Sequence, residues 1–214
     1  MAKPVSPKVL PYPVRPTASP AIVQRGVKRR RAAARTNPRA QGLTMPPVIE
    51  TAHLVMGPCT PADAEAFMDF CATDRSRFLG GPSGRADAWR SVAIHVGQWQ
   101  LRGYGNWWLT DRATGKPAGR VGLWHPEGLV EPELSWVIYE GFEGKGYAAE
   151  AARAARDWAY ANLGLTTLIS LIDAENTRSI RLAQRLGARP DGVHTYDHGG
   201  TVTIWRHPGP GASE

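Results

Sequence analysis

The stretch ELSWVIYEGFEGKGYAAEA, residues 133–151, decides the fold of this chain. Residues 133–139 predict a β-strand, the glycines at 144 and 146 predict a tight turn, and the alanine-rich segment from about residue 147 to residue 163 predicts a long helix. In this order the first unpaired N–H groups of the helix point into the turn, where they and the helix dipole favour phosphate oxygens. The segment therefore predicts a phosphate site at Gly144 and Gly146. The alternative is that the two glycines only form a tight turn and bind no ligand. Lys145 between them either adds positive charge or faces solvent.

A dinucleotide site is the strongest rival interpretation. Gly144, Gly146 and Ala149 fit the pattern GxGxxG/A, and Asp173 ends the next predicted strand. However, only 41 of the 214 residues follow Asp173, too few to complete a doubly wound sheet. Asp173 also lies 29 residues after Gly144, later than the roughly 20 that the pattern expects. A nucleoside-triphosphate P-loop is excluded, because no Ser or Thr follows Lys145.

The flanking sequence alternates strands with helices. It predicts a mixed α/β domain over residues 48–210, without internal repeats. Thr60 and Pro61 mark the start of a first helix. A second helix follows Gly84, with an inner face predicted to carry Trp89, Val92, Ala93 and Val96. The remaining predicted strands are residues 52–56, 106–110, 118–124, 166–173, 192–196 and 201–206, and a last helix covers residues 177–186.

The basic charge of the chain is concentrated in its N-terminal tail. Residues 1–49 hold ten Lys or Arg and no Asp or Glu, so the net charge of +7 comes from this segment. Residues 1–47 are predicted to be a disordered tail. Such a tail could contact nucleic acid, target the protein to an organelle, have no role, or precede a true start at Met45.

Composition predicts a cytoplasmic protein without a membrane partner. No apolar run approaches the roughly 18 residues of a membrane span, and the N-terminus has no apolar block of the kind a secretory signal needs. The two cysteines, Cys59 and Cys71, form no CxxC pair and are expected to be reduced thiols. The histidines show no metal-ligand spacing, so no metal is predicted.

Residues 133–151 resemble the core of the GNAT acetyltransferase superfamily, and more closely its RimJ/RimL-like branch. A second stretch, IDAENTRSIRLAQRLGA at residues 172–188, carries the Asn-x-x-Ser and Leu-Gly features of the same superfamily. The resemblance runs from about Glu50 to Arg206. It departs at Glu143, where the family has Gln or Arg as a polar contact for a pyrophosphate.

The resemblance implies a GNAT fold, with a mixed sheet split between two parallel strands, residues 133–139 and 166–173, and helices on both faces. It also implies acetyl-CoA as cosubstrate. Pantetheine would pair with the backbone near Ile138, through Val137 and Tyr139, and Asn176 would bond the pantetheine arm. The pyrophosphate would lie on the amides of the glycine turn, which are those of Gly144, Lys145, Gly146, Tyr147 and Ala148.

The resemblance also implies the catalytic pair. Glu133 is the candidate base and Ser179 the candidate proton donor to the CoA sulfur. The alternatives are that Glu133 is a solvated carboxylate at the strand end or forms a salt bridge, and that Ser179 is a helix-capping or packing hydroxyl. Tyr139 and Tyr147 are reserve donors, and a backbone N–H near Val137 would hold the oxyanion. The predicted activity is acetyl transfer to a primary amine, on a protein N-terminus or a small molecule, by a monomer or homodimer. The alternative is a non-catalytic CoA-binding or RNA-associated module.

Overall fold

The computed structural model describes residues 44–196 and 199–211. Residues 1–43 of the predicted tail lie outside this range. The helices are α1 (Pro61–Cys71), α2 (Arg85–Arg102), α3 (Tyr147–Leu163) and α4 (Thr177–Arg185), with a 3₁₀ helix (Asp74–Leu79) between the first two. The strands are β1 (Ile49–Glu50), β2 (Leu54–Gly57), β3 (Asn106–Asp111), β4 (Pro117–Trp124), β5 (Glu133–Ile138), β6 (Ile169–Ile172), β7 (Arg189–Thr195) and β8 (Thr201–Arg206).

The eight strands form one sheet in the order β1-β2-β3-β4-β5-β6-β8-β7. Every neighbouring pair is antiparallel except β5 and β6, which are parallel. Helices cover both faces, as expected. The alanines of α3 pack on Trp107, Leu109 and Leu123, whereas α1 and α2 cover the face that carries Trp108 and Val137.

The parallel pair is parted along almost its whole length. β5 and β6 share a single register pair, Glu133 with Ile169, and β6 starts three residues later than the predicted strand. The side chain of Ser170 spans the gap just beyond, donating to the carbonyl oxygen of Leu134 at 2.6 Å. The predicted split is therefore confirmed, and it opens toward the C-terminal ends of both strands.

Helix α1 begins where the sequence predicts. Thr60 is its N-cap, and the Thr60 hydroxyl and the Asp63 carboxylate form a reciprocal capping box. Pro61 stands in the first turn, where its missing N–H has no intrahelical partner to lose.

The inner face predicted for α2 is wrong apart from Val92. Trp89 is 59% exposed and Val96 is 43% exposed. The buried side chains of α2 are Ala88, Val92, His95, Gln98 and Trp99. The sequence pattern misses this face because it contains His95 and Gln98, polar side chains that are buried with partners. For example, Gln98 donates to the carbonyl oxygen of Leu123 at 2.9 Å.

Helix α3 lies close to the sheet because its inner face is built from alanine. Ala151, Ala152, Ala155 and Ala159 are fully buried. Arg156 is also buried, although a charged residue of a helix is usually exposed, and it donates to the carbonyl oxygen of Leu186 at 2.8 Å. This close packing fixes the N-terminus of α3 beside the C-terminal end of β5.

No helix within residues 44–196 and 199–211 is long and apolar enough to cross a membrane.

Candidate active site

A cleft of about 1110 Å³ opens where β5 and β6 part. Its lining comes from β5, from β6, from the first turn of α3 and the glycines before it, from α4 along its length, and from the 3₁₀ helix. Glu133, Gly144, Gly146, Asn176 and Ser179 all line it. Segments that are distant in sequence thus contribute to one site, and predicted residues from both stretches, 133–151 and 172–188, meet there.

The glycine loop, residues 140–147, leaves the amides of α3 unpaired. Gly144 and Gly146 have φ of +74° and +83°, a left-handed conformation that favours glycine. Gly146 is the N-cap of α3 and no side chain caps this helix. The first intrahelical bond runs from the N–H of Glu150 to the carbonyl oxygen of Gly146. The N–H groups of the first turn before Glu150 are therefore available to an anion in the cleft.

Lys145 does not reach this anion site. Its ammonium lies 5.0 Å from the ring centre of Phe142 and 5.7 Å from that of Tyr147. Lys145 is exposed and does not line the cleft. The sequence left open whether this side chain adds charge to the site or faces solvent, and in the structure it is exposed and lies against two aromatic rings.

Glu143, at the position where the family has Gln or Arg, forms ion pairs across the mouth of the cleft. Its carboxylate binds Arg75 of the 3₁₀ helix and lies 4.0 Å from Arg178 of α4. Besides Glu133, five further charged side chains line the same cleft, Arg77, Arg181, Arg185, Asp74 and Glu175. The positive charge that the sequence lacks at residue 143 is therefore supplied from two other elements.

The backbone of β5 faces the cleft through Trp136 and Ile138. The N–H of Tyr139 donates to Ala118 of β4 at 2.9 Å, and Val137 pairs with Arg120 in the same ladder. Since backbone groups alternate in direction along a strand, those of Trp136 and Ile138 point toward β6. No strand pairing reaches them there within the described residues.

This alternation corrects two expectations. Val137 and Tyr139 cannot pair with pantetheine through their backbone, and the N–H of Val137 cannot hold an oxyanion, because these groups are bonded to β4. The Tyr139 side chain is likewise buried against α1 and α2, and it does not line the cleft. Tyr139 is therefore also removed as a reserve proton donor.

Asn176 and Ser179 begin α4 at the opposite wall. Asn176 is the N-cap, and its Oδ1 accepts from the N–H of Ser179 at 3.2 Å. This leaves the amide nitrogen of Asn176 for a ligand. The Ser179 hydroxyl oxygen accepts from the indole N–H of Trp136 at 3.0 Å. Because the oxygen accepts in that bond, the hydroxyl proton is free to be donated into the cleft.

Tyr147 lines the cleft but its hydroxyl is committed. It donates to the carboxylate of Asp111 at 2.5 Å. This bond connects the first residue of α3 to the end of β3 and leaves Tyr147 a weak candidate for proton transfer.

Glu133 lies at the narrow end of the cleft, where β5 and β6 still touch. Burial raises the pKa of its carboxyl to about 7, and two weaker effects oppose the rise, a hydrogen bond from the N–H of Leu171 at 3.4 Å and the charge of Arg120. A carboxyl with this pKa exchanges protons readily near neutral pH. Its simpler interpretation as a surface salt bridge is wrong, since Glu133 has no ion-pair partner among the described residues.

Glu133 and Ser179 approach the cleft from opposite faces of the sheet. Glu133 pairs with Trp124 on the face that α1 and α2 cover. Trp136, an odd number of residues further along β5, points to the other face, where its indole meets Ser179. An acceptor bound on the first side would thus meet a base, while a leaving group on the second side would meet a hydroxyl.

Comparisons with known proteins agree with this fold. A family model described as an acetyltransferase (GNAT) domain matches residues 53–189, more than half of the chain. An acetyltransferase from Agrobacterium tumefaciens strain C58 is 35% identical and superposes with a TM-score of 0.70, over 75% of this chain and 94% of that one.

Two further similarities are weaker, one in sequence identity and the other in the share of the chains that it covers. The ribosomal-protein-S5-alanine acetyltransferase of Vibrio fischeri has a TM-score of 0.59 over 79% of this chain and 100% of that one, but its 14% identity shows the fold alone. YkkB of Bacillus subtilis strain 168, described as an uncharacterized protein, is 30% identical over 119 residues. These cover 54% of this chain and 64% of YkkB, so the chain spans just under two thirds of that curated relative.

Proposed function

Because the chain belongs to the GNAT acetyltransferase family, we propose that it transfers the acetyl group of acetyl-CoA to a primary amine by direct attack in a ternary complex. The observation that carries this proposal is the parted β5–β6 pair, with unpaired amides at one end and the Glu133 carboxyl at the other. We further propose that the protein acts in the cytoplasm and belongs to the RimJ/RimL-like branch. Within the described residues, no feature favours a non-catalytic CoA-binding role over the enzymatic one.

The cleft fits acetyl-CoA in shape and charge. The amides at the start of α3 suit a diphosphate, and the arginines of α4 and the 3₁₀ helix add positive charge around it. The free backbone groups of Trp136 and Ile138 suit the amides of a pantetheine arm laid beside β5 as an extra strand. When bound, acetyl-CoA would supply an acetyl thioester, which is reactive toward amines.

Glu133 removes a proton from the attacking amine, directly or through water. An α-amino group has a pKa of about 7.7–8.0, so a carboxyl that titrates near 7 is well matched to it, whereas a lysine amine near 10.4 requires a stronger base. This match supports a protein N-terminus or a weakly basic small-molecule amine as acceptor.

Backbone N–H groups and Ser179 stabilise the negative charge that develops on the thioester oxygen and on the sulfur as the amine attacks. An N–H of β5 on its β6 side, at Trp136 or Ile138, donates to the thioester oxygen as it becomes negative. As the bond between the amine nitrogen and the acetyl carbon forms and the bond from that carbon to sulfur breaks, the Ser179 hydroxyl donates its proton to the departing sulfur and is reprotonated from water, with the indole of Trp136 holding the oxygen in place. These roles need no metal ion.

Turnover of a panel of amines tests the function. Purified protein is mixed with acetyl-CoA, and thiol release is followed with peptides of different N-termini, free amino acids, a polyamine and an aminoglycoside. We expect release with at least one acceptor and mass-spectrometric proof of its acetylation. Calorimetry is expected to show micromolar binding of acetyl-CoA and none of NAD(P)H. Binding of acetyl-CoA with no turnover of any amine would support the non-catalytic alternative.

Ser179→Ala is expected to lower kcat about tenfold with little change in the Kd for acetyl-CoA, because the hydroxyl assists only departure of the sulfur. Stopped-assay kinetics and calorimetry measure the two quantities. Thr177→Ala is the matched control, since Thr177 is another hydroxyl of the first turn of α4 that lines the cleft. A Ser179→Ala variant as fast as the Thr177→Ala control would remove Ser179 from the mechanism.

Glu143→Gln is expected to tighten acetyl-CoA binding by about threefold to tenfold, because the change removes a negative charge beside the diphosphate and releases Arg75 and Arg178 to it. Titration calorimetry at low salt measures the Kd. Glu140→Gln is the control, because Glu140 is exposed in the same loop but does not line the cleft. Weaker binding in Glu143→Gln alone would mean that Glu143 instead holds the two arginines in their binding positions.

A further inference from the structure

Arg120 is a charged side chain inside the protein. It lies in the middle of β4 and is 5% exposed. Its guanidinium donates to Oδ1 of Asn106 at 3.2 Å and lies 5.1 Å from the ring centre of Phe67. Its Nε has no hydrogen-bond partner among the described residues. A buried charge of this kind is costly unless an opposite charge compensates it.

No carboxylate forms an ion pair with Arg120 within the part of the chain that the structure describes. Three acidic groups act on it at longer range, Tyr139, Cys71 and Glu133. Burial raises the pKa of both the Tyr139 phenol and the Cys71 thiol, so both are neutral at pH 7. Of these three groups, Glu133 is therefore the one that carries negative charge at pH values above its pKa of about 7.

The other titratable neighbours do not change this balance. His95 of α2 is buried, which lowers its pKa well below the ordinary value and keeps it neutral, and Arg120 reinforces that effect. Asp63 of α1 faces Tyr139, but its carboxylate is held by the N–H and hydroxyl of Thr60. On the side of β6, Glu133 accepts a hydrogen bond from the N–H of Leu171 at 3.4 Å, and no ion pair to Glu133 is found within the described residues.

A hydrogen-bonded track connects Arg120 to the cleft. Asn106 Oδ1 accepts from Arg120 and also from the Ser135 hydroxyl, each at 3.2 Å. Ser135 lines the cleft, two residues from Glu133 and on the same face of β5. The track holds the guanidinium on the face of the sheet that also carries Glu133, since Arg120 pairs with Val137 and Glu133 lies four residues before Val137 on β5.

We propose that Arg120 is the buried counter-charge of Glu133, a positioning residue that keeps this carboxyl ionised and therefore able to act as a base at neutral pH. The inference rests on the proposed function, since it assigns a partner to the proposed base. Arg120 touches neither substrate. It acts on Glu133 by electrostatics from the same face of the sheet, and its charge opposes the rise that burial causes in the pKa of Glu133.

The pH dependence of kcat/KM tests the proposal. In Arg120→Met the acid limb of the profile is expected to move upward by about one pH unit, because the stabilising cation is gone. Activity should therefore fall about tenfold more at pH 6 than at pH 9, with the KM for acetyl-CoA unchanged. Arg120→Lys retains the charge and should restore the wild-type limb. A folded Arg120→Met enzyme with an unmoved acid limb would overturn the proposal.

Asn106→Asp supplies a second route if Arg120→Met does not fold. This variant keeps Arg120 and replaces the Asn106 amide, whose Oδ1 accepts a hydrogen bond from Arg120, with a carboxylate. The new carboxylate should neutralise the charge of Arg120, so the acid limb of the pH profile should move upward as it does in Arg120→Met. An acid limb at the wild-type position in folded Asn106→Asp would count against the counter-charge.

Direct titration separates this proposal from the proposed function. The Glu133 carboxyl is followed by NMR in protein labelled with ¹³C-glutamate, and its signal is identified by its absence from Glu133→Gln. Its midpoint is expected to rise in Arg120→Met and to stay unchanged in Arg120→Lys. This readout needs no turnover, so a failed amine panel leaves it intact, and an unchanged midpoint in Arg120→Met refutes the role of Arg120 alone.

Discussion

Glu133→Gln is expected to lower kcat about 100-fold at pH 8, since general base catalysis contributes about 10²–10⁴ to such reactions. The amide keeps the shape of the side chain and still accepts from the N–H of Leu171, but it cannot take a proton from the amine. The wild-type rate should rise with pH through a limb near 7, the pKa to which burial raises this carboxyl. That limb should be absent from the variant. Steady-state kinetics from pH 5.5 to 9 measure both effects.

Loss of folding would not explain this result. The folded-state pKa of Glu133 is raised from 4.5 to about 7, so the folded protein binds the extra proton between these values and wild-type stability falls as pH rises through this window. Glutamine does not titrate, and at pH 8 the variant should be more stable than wild type by up to about 3 kcal/mol. Thermal denaturation checks this. A variant within threefold of the wild-type kcat, together with an unaffected Ser179→Ala, would show that the chemistry lies elsewhere.

Gly146→Trp is expected to weaken acetyl-CoA binding more than 100-fold. Gly146 has φ of +83°, and a Cβ added there would project into open space with no protein atom within 4 Å. That space is the mouth of the cleft, beside the unpaired amides of α3. An indole in this position would occupy the volume that a diphosphate needs and cover the N–H groups that bind it. Titration calorimetry measures the loss.

Gly141→Trp is the matched control for this change. Gly141 belongs to the same glycine loop and has φ of +81°, so tryptophan there carries the same backbone strain of about 1–2 kcal/mol. It does not line the cleft, and its added Cβ also meets open space. The two variants should lose similar stability, while only Gly146→Trp loses binding. Equal acetyl-CoA affinity in both would refute the phosphate site.

The sequence predicted local elements well because their signals are local. The capping box at Thr60 and the alanine face of α3 depend on residues within one or two turns of each other. The exposed side of α2 was assigned incorrectly because apolar residues such as Trp89 lie at the surface, while His95 is buried against Trp124. Whether a polar side chain is buried depends on partners contributed by other elements, and spacing does not reveal them.

The pantetheine assignment shows the same limit at the scale of single bonds. The strand over β5 was predicted, but not which of its backbone groups face β4 and which face the gap. A shift of one residue reverses this direction, and only the register with β4 fixes it. The acidic residue at Glu143 is a similar case, since the arginines that surround it come from the 3₁₀ helix and from α4.

The sequence alone determined that a strand, a glycine turn and a helix place free amides at one point, because backbone conformation and helix capping are set by neighbouring residues. The tertiary structure decided what that point faces. It brought Ser179 to one side of a parted sheet and Glu133 to the other, and it buried the Glu133 carboxyl, which raises its pKa to about 7 against the opposing charge of Arg120. Burial and charge at a site are sums over the whole fold, so they exist only once distant segments have packed together.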